Sequence, residues 1–264
     1  MANKSVLESR LRKQLSRLLT KPGEMSAAVA VLRDWEKRGM GPILFGGVVR
    51  DLVVLGRKHY PRDVDVVLQH GTMENVVNDF KEYQYRFNRF GGIHLSINRW
   101  AFDVWSLEKT WAFTQDRTID PSSDNLPKTT FLDVEAIAVT FNGPDRIGRI
   151  ISNGFFEAVE KRCIGINFRN NPFPALSAIR TLITACKLQF AIHINLVRYF
   201  INAVKEFGIE ELIRAQEHHY SKVIFRHSEI EYLVDYFSHE IQTSAQEEIQ
   251  LPDKYQPKQL QFWL

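Results

Sequence analysis

Gly46-Gly47-Val48-Val49-Arg50-Asp51 is followed closely in the chain by Arg62-Asp63-Val64-Asp65. Glycines at the end of a strand let the backbone approach a phosphate, because no Cβ intervenes. A helix that starts directly beyond them offers free N–H groups and the positive end of its dipole, a natural seat for a triphosphate. Arg50, in the first turn of that helix, can add charge-assisted hydrogen bonds. Asp63 and Asp65 stand two apart on a strand and therefore share a face, with Val64 turned to the core. Two carboxylates on one face repel unless a cation lies between them. Mg2+ suits the position, since it prefers hard oxygen ligands and keeps substrate phosphates among them; Mn2+ is an alternative. Gly-Gly alone is ordinarily a turn, and Asp-x-Asp alone is ordinarily a solvated edge. Their combination in this order and spacing argues for a site.

The elements that must position these residues can be read from periodicity. Residues 5–19 carry apolar side chains at helical spacing (Val6, Leu7, Leu11, Leu15, Leu18), and a second helix runs from Ser26, a candidate N-cap, to Lys37. Pro42–Phe45 is a short strand, Val48–Leu55 a helix, Asp63–Leu68 a strand alternating with β-branched residues, and Thr72–Tyr83 a helix. Strands follow at 85–90, 93–97 and 101–107, with a turn at Asn98-Arg99, then a polar loop over 114–128. A further strand spans 131–141 and ends in the turn Asn142-Gly143-Pro144-Asp145. Beyond about residue 155 the strand signal fades, and 174–188, 195–207, 210–218 and 229–239 read as helices. The expected fold is α+β, a mixed-sheet head followed by an all-helical neck or cap. The expected divisions are N-terminal helices over 1–40, the head over 41–156, the helical part over 157–250 and a tail over 251–264.

Composition sets bounds on this reading. A chain of 264 residues with 44% hydrophobic and 25% charged residues can bury a core, which excludes disorder as the default. The ordinary account of its 18 Phe, 8 Tyr and 5 Trp is a well-filled core rather than a base-stacking surface. The net charge of +3 does not establish a nucleic-acid partner, but basic residues cluster from Arg10 to Lys21 and at Arg57, Lys58 and Arg62. Cys163 and Cys186 have no C-x-x-C spacing and read as two buried thiols rather than a disulfide or zinc site. His218-His219 with His227 reads as a surface helix end rather than a metal site. The N-terminus has no apolar h-region and no run approaches membrane-spanning length, so a cytoplasmic protein without a membrane partner is expected.

Taken together, the motifs resemble the polymerase beta-type nucleotidyltransferase superfamily. More narrowly, they resemble the head domain shared by bacterial poly(A) polymerases and class II CCA-adding tRNA nucleotidyltransferases. That family has a Gly-Gly-x-x-Arg-Asp turn, a connection with Gly-Arg and a strand with Asp-x-Asp. Here these are Gly46-Gly47 with Arg50-Asp51, Gly56-Arg57, and Asp63-Val64-Asp65. The family also has an Arg-Phe-Gly start to a hairpin whose second strand bears a third acidic ligand. Arg89-Phe90-Gly91-Gly92 and Ala101-Phe102-Asp103-Val104 match it, which makes Asp103 the third carboxylate. The resemblance implies that Asp63, Asp65 and Asp103 bind catalytic metal and that Gly46, Gly47 and Arg50 hold the triphosphate of an NTP. Lys58 and Arg62 are either secondary phosphate contacts or solvated loop charges.

The later motifs diverge. Where the family has Arg-Arg-Asp-Phe and then Thr-Ile-Asn-Ala, this chain has Thr129-Thr130-Phe131-Leu132-Asp133-Val134-Glu135-Ala136. Asp133 and Glu135 share a face of the expected strand, as polar replacements at the site or as ordinary strand charges. The Glu-Asp-x-x-Arg that reads the incoming base in CCA-adding enzymes is replaced by Asn170-Asn171-Pro172-Phe173-Pro174. Asn170 and Asn171 can still hydrogen-bond a base edge, but strict selection of C and then A is not expected.

The implied reaction is two-metal transfer of a nucleoside monophosphate from an NTP to an acceptor hydroxyl, with release of pyrophosphate. The leading acceptor is an RNA 3′ end, with tRNA among the candidates. The short helical part leaves two other readings open: transfer to a protein or small molecule, or acceptor binding supplied partly by a protein partner. An inactive nucleotide-binding module in a larger complex is a third, against which the three carboxylates argue.

Overall fold

The computed structural model describes residues 4–20, 26–56, 63–79, 83–97, 100–142 and 147–255. The expectations placed on Lys21, Arg57, Lys58, Arg62, the turns at 98–99 and 143–146, the side chain of Ser26 and the tail from 256 lie outside them. The chain divides into two compact units. The first comprises residues 1–130 and 134–160, the second residues 131–133 and 161–264.

In the first unit the elements run α1 (Lys4–Thr20), α2 (Ser26–Lys37), β1 (Pro42–Phe45), α3 (Gly47–Val54), β2 (Asp63–Leu68), α4 (Met73–Asp79), β3 (Gln84–Phe87), β4 (Ile93–Ile97), β5 (Trp100–Ser106), α5 (Trp111–Gln115), β6 (Ile137–Phe141), β7 (Ile147–Ser152) and α6 (Phe155–Lys161). The strands form one mixed sheet in the order β3-β4-β5-β2-β1-β6-β7. Neighbours are antiparallel except β2 and β5, which run parallel. A parallel pair needs a long crossover, and α4 with the β3–β4 hairpin supplies it.

Alternation sorts the sheet into two faces. Leu44, Val64, Val66, Phe102, Val104 and Val139 join the main core, to which α1 contributes Leu7, Leu11, Leu15 and Leu19 and α3 contributes Val48, Val49, Leu52 and Val53. The other face is covered only in part, by a smaller cluster of Ile43, Phe45, Val67, Leu107, Phe113, Leu126 and Ala138. Val67 shares a face with Asp63 and Asp65, so the apolar cover lies toward the C-terminal end of β2. The aspartates stand at its uncovered N-terminal end.

The stretch 131–136, expected to continue the strand of 137–141, does not. Leu132 makes one isolated bridge to Ile166, and Asp133–Glu135 form a 3-10 turn. Asp133 and Glu135 therefore do not share a strand face. Asp133 Oδ2 accepts from the Gly165 N–H at 2.9 Å in the second unit, whereas Glu135 is drawn to Arg50 in the first. The polar segment 114–128 also contains structure, the end of α5 and a 3-10 turn at Leu126–Thr129.

The second unit is mainly helical: α7 (Pro174–Leu188), α8 (Ile194–Phe207), α9 (Ile209–Tyr220) and α10 (His227–Thr243). It adds β8 (Cys163–Ile164), β9 (Ala191–His193) and β10 (Glu248–Ile249), a small sheet that the all-helical expectation omits. Pro174 opens α7, where a missing N–H costs nothing, and Gln189 closes it in the left-handed conformation. Cys163 and Cys186 are free and buried, and burial pushes both thiols up to about 12. No described helix is long and apolar enough to cross a membrane.

Candidate active site

The turn between β1 and α3 is built on Gly46, whose φ of 64° and ψ of −126° suit a residue without a Cβ. Its N–H donates to Ile137 O on β6, and its carbonyl accepts from the N–H groups of Val49 and Arg50. The amides of Gly47 and Val48 fall at the start of α3, where no intrahelical acceptor exists. A Cβ added to Gly46 would lie 3.6 Å from Asp65 Oδ2, so the turn and the second carboxylate are neighbours.

Strand register brings the aspartates together. Asp65 is the partner of Phe45 on β1 and of Asp103 on β5, and Asp63 is the partner of Ala101. Asp103 is therefore on the face that carries Asp63 and Asp65, with one strand spacing between Asp103 and Asp65. Asp63 is exposed; Asp65 and Asp103 are partly buried. The edge-to-face pair of Phe45 and Trp105, at 6.1 Å, marks the apolar end of this face, and Trp105 Nε1 donates to Thr110 Oγ1.

The row continues outward. His94 on β4 is the register partner of Asp103, and Arg86 on β3 is the partner of His94. His94 Nδ1 lies 3.0 Å from Asp103 Oδ1. This histidine was not singled out by sequence reasoning, although its position in the hairpin would have paired it with Asp103 once the turn was fixed. Among the described residues the side chains do not gather into a group of three His, Cys, Asp or Glu close enough to hold a metal ion. The backbone nonetheless sets three oxygen donors on one face of two adjacent strands. That donor set is the one a hard divalent cation takes.

Arg50, in the first turn of α3, is engaged by two carboxylates. It is 6% exposed; its Nε donates to Asp51 Oδ1 at 2.8 Å and its Nη1 to Glu135 Oε1 at 2.6 Å. Its guanidinium folds back beside Gly47, 3.5 Å from where a Cβ would stand. The arginine thus ties the start of α3 to the turn before β6. Glu135 is the partner that the sequence did not reveal.

Asn170 and Asn171 belong to the second unit. Asn170 is exposed. Asn171 organises the entry to α7: its Oδ1 accepts from the Phe173 N–H and from Ser177 Oγ, and its Nδ2 donates to Tyr199 Oη at 2.9 Å. Burial raises the Tyr199 hydroxyl above its ordinary range, partly offset by that hydrogen bond.

The sequence matches no family model and no curated protein. The fold, by contrast, is that of solved tRNA nucleotidyltransferases. A CCA-adding enzyme in complex with CTP aligns with a TM-score of 0.59 and 18% identity, over 86% of this chain and 55% of the other. A tRNA-processing enzyme in an apo form aligns at 0.56 with 19% identity, over 89% and 62%. The Thermotoga maritima CCA-adding enzyme complexed with tRNA aligns at 0.56 with 18% identity, over 85% and 54%. The chain thus spans 54% to 62% of the length of these solved chains.

Proposed function

We propose that the chain is a metal-dependent nucleotidyltransferase that moves a nucleoside monophosphate from an NTP to the 3′ hydroxyl of an RNA. The observation that carries this reading is the parallel register of Asp65 with Asp103, beside a glycine turn that opens a helix. The fold shared with tRNA nucleotidyltransferases supports it.

Asp63, Asp65 and Asp103 would hold Mg2+ or Mn2+. When bound, the divalent cations lower the pKa of the acceptor hydroxyl and neutralise charge on the triphosphate and the departing pyrophosphate. The amides at the start of α3 bind phosphate oxygens, and Gly46 and Gly47 let them come close. The acceptor hydroxyl gives up its proton to solvent, and its oxygen bonds to the α-phosphorus as the bond from that phosphorus to the α–β bridging oxygen breaks and pyrophosphate leaves. Arg50 acts through Asp51 and Glu135, holding the turn in place rather than reaching for phosphate. His94 holds one oxygen of Asp103.

The test is incubation with each α-labelled NTP, Mg2+ or Mn2+, and total cell extract. Label should run with RNA and be lost in Asp63→Asn and Asp65→Asn variants that remain folded by circular dichroism. A folded Asp63→Asn variant with full activity would sink the site, and label confined to protein or small molecules would replace the acceptor.

A further inference from the structure

The hairpin of β3 and β4 carries chemistry that nucleotide transfer leaves unused. From Tyr83 to Ile97 the chain has no acidic residue, yet it includes Tyr83, Tyr85, Arg86, Phe87, Arg89 and Phe90. β3 is an edge of the seven-stranded sheet, and all four of its residues are exposed. Tyr85 and Phe87 share a face, are 40% and 58% exposed, and meet edge to face at 6.2 Å. Their register partners Leu95 and Ile93 are buried, so the core's cover ends at β4 and the two rings stand beyond it. Arg86 is turned to the other face and forms no ion pair with a described carboxylate. In the adjoining turn, Arg89 lies over the ring of Phe90.

A bare aromatic edge strand invites association, and folded proteins ordinarily cover or break such edges. Within residues 83–97 the formal charges are all positive. Exposed rings stack on bases of any sequence, and guanidinium groups neutralise phosphates, which together make a platform for single-stranded nucleic acid. We propose that the β3 edge, through Tyr85, Phe87 and Arg86, holds the single-stranded RNA that leads to the acceptor 3′ end. This rests on the reading of RNA as the acceptor. Arg86 lies in the same cross-strand row as Asp103 and Asp65. Three strand spacings, about 14 Å, separate it from Asp65, so an RNA ending at the carboxylates reaches Arg86 within a few nucleotides and meets the two rings, which face the opposite side of the sheet, by passing over the β3 edge.

The experiment measures fluorescence anisotropy of a labelled single-stranded oligoribonucleotide of mixed sequence with the full chain, without NTP. The variants are Tyr85→Ala with Phe87→Ala, and Arg86→Ala. The paired ring variant should bind at least about ten-fold more weakly. Arg86→Ala should lower the slope of log affinity against log salt by about one. Ultraviolet crosslinks should map to Tyr85 or Phe87, a readout that needs no substitution. Unchanged RNA affinity in the folded ring variant overturns the proposal. So does a change in oligomeric state with RNA affinity unmoved, which would make the edge a contact for a second copy. Ring-dependent RNA binding by a chain that labels only protein supports the surface and overturns the RNA-acceptor reading, so the two failures are distinguishable.

Discussion

At Gly46 the fold itself demands glycine, because its φ of 64° and ψ of −126° are open to few other residues. Gly46→Ala should cost about 1–3 kcal/mol in urea unfolding through backbone strain. Gly47 is different: its φ is not positive, and an added Cβ would meet Arg50 Nη2 at an ordinary 3.5 Å. Gly47→Ala should therefore fold at least as stably, gaining about 0.5–1 kcal/mol within the helix, yet transfer poorly if phosphate approaches that backbone. Undiminished transfer would reject the close approach. His227 offers a separate test of charge. Its Nδ1 lies 2.9 Å from Glu210 and its Nε2 3.3 Å from Glu231, and the hydrogen bond to Glu210 raises its pKa above 6.5. The folded form thus gains stability that is fully present below about 6.5 and is lost as pH rises through the raised value. The Tm difference between the unaltered chain and His227→Gln should shrink with rising pH across that window.

At the scale of elements, the joint between α3 and the 3-10 turn of Asp133–Glu135 is a buried ion pair of Arg50 with Glu135. Glu135 and Arg50 are both buried, so Glu135→Ala leaves a guanidinium with one carboxylate fewer. It should cost about 3–5 kcal/mol, read from denaturant melts, with transfer falling because the glycine turn loosens. This joint was not legible in the sequence, since it links residues far apart in the chain and the run 131–141 fits a strand by local pattern. Asp63–Leu68 was legible to the residue, because a buried strand of β-branched residues alternates with little ambiguity. The common face of Asp63 and Asp65 followed from that period alone. The placement of Asp103 beside them depended on how a hairpin and crossover return the chain, and came only from the resemblance. His94 and the exposed rings of β3 were missed for a related reason. Composition implies that aromatics fill cores, and only the sheet order shows which strand lies at the edge.

For the whole molecule, base choice should depart from a strict order of C and then A. The positions that would read the base hold Asn170, Asn171 and Pro174, and a proline cannot supply an arginine's donors. The amide of Asn171 is moreover engaged at the entry to α7. Competition among the four NTPs on the true acceptor should show a looser preference or a single favoured nucleotide; ordered addition of two C and one A to tRNA ends would refute this. The parallel pairing of β2 with β5 bears on the life of the molecule before it works. Residues near in sequence meet early as a chain folds, whereas strands joined by a crossover must wait for the loop entropy to be overcome. Asp65 and Asp103 meet only across that pairing. The candidate site therefore forms only once that crossover has closed, and a newly made chain can carry helices before the two carboxylates have met.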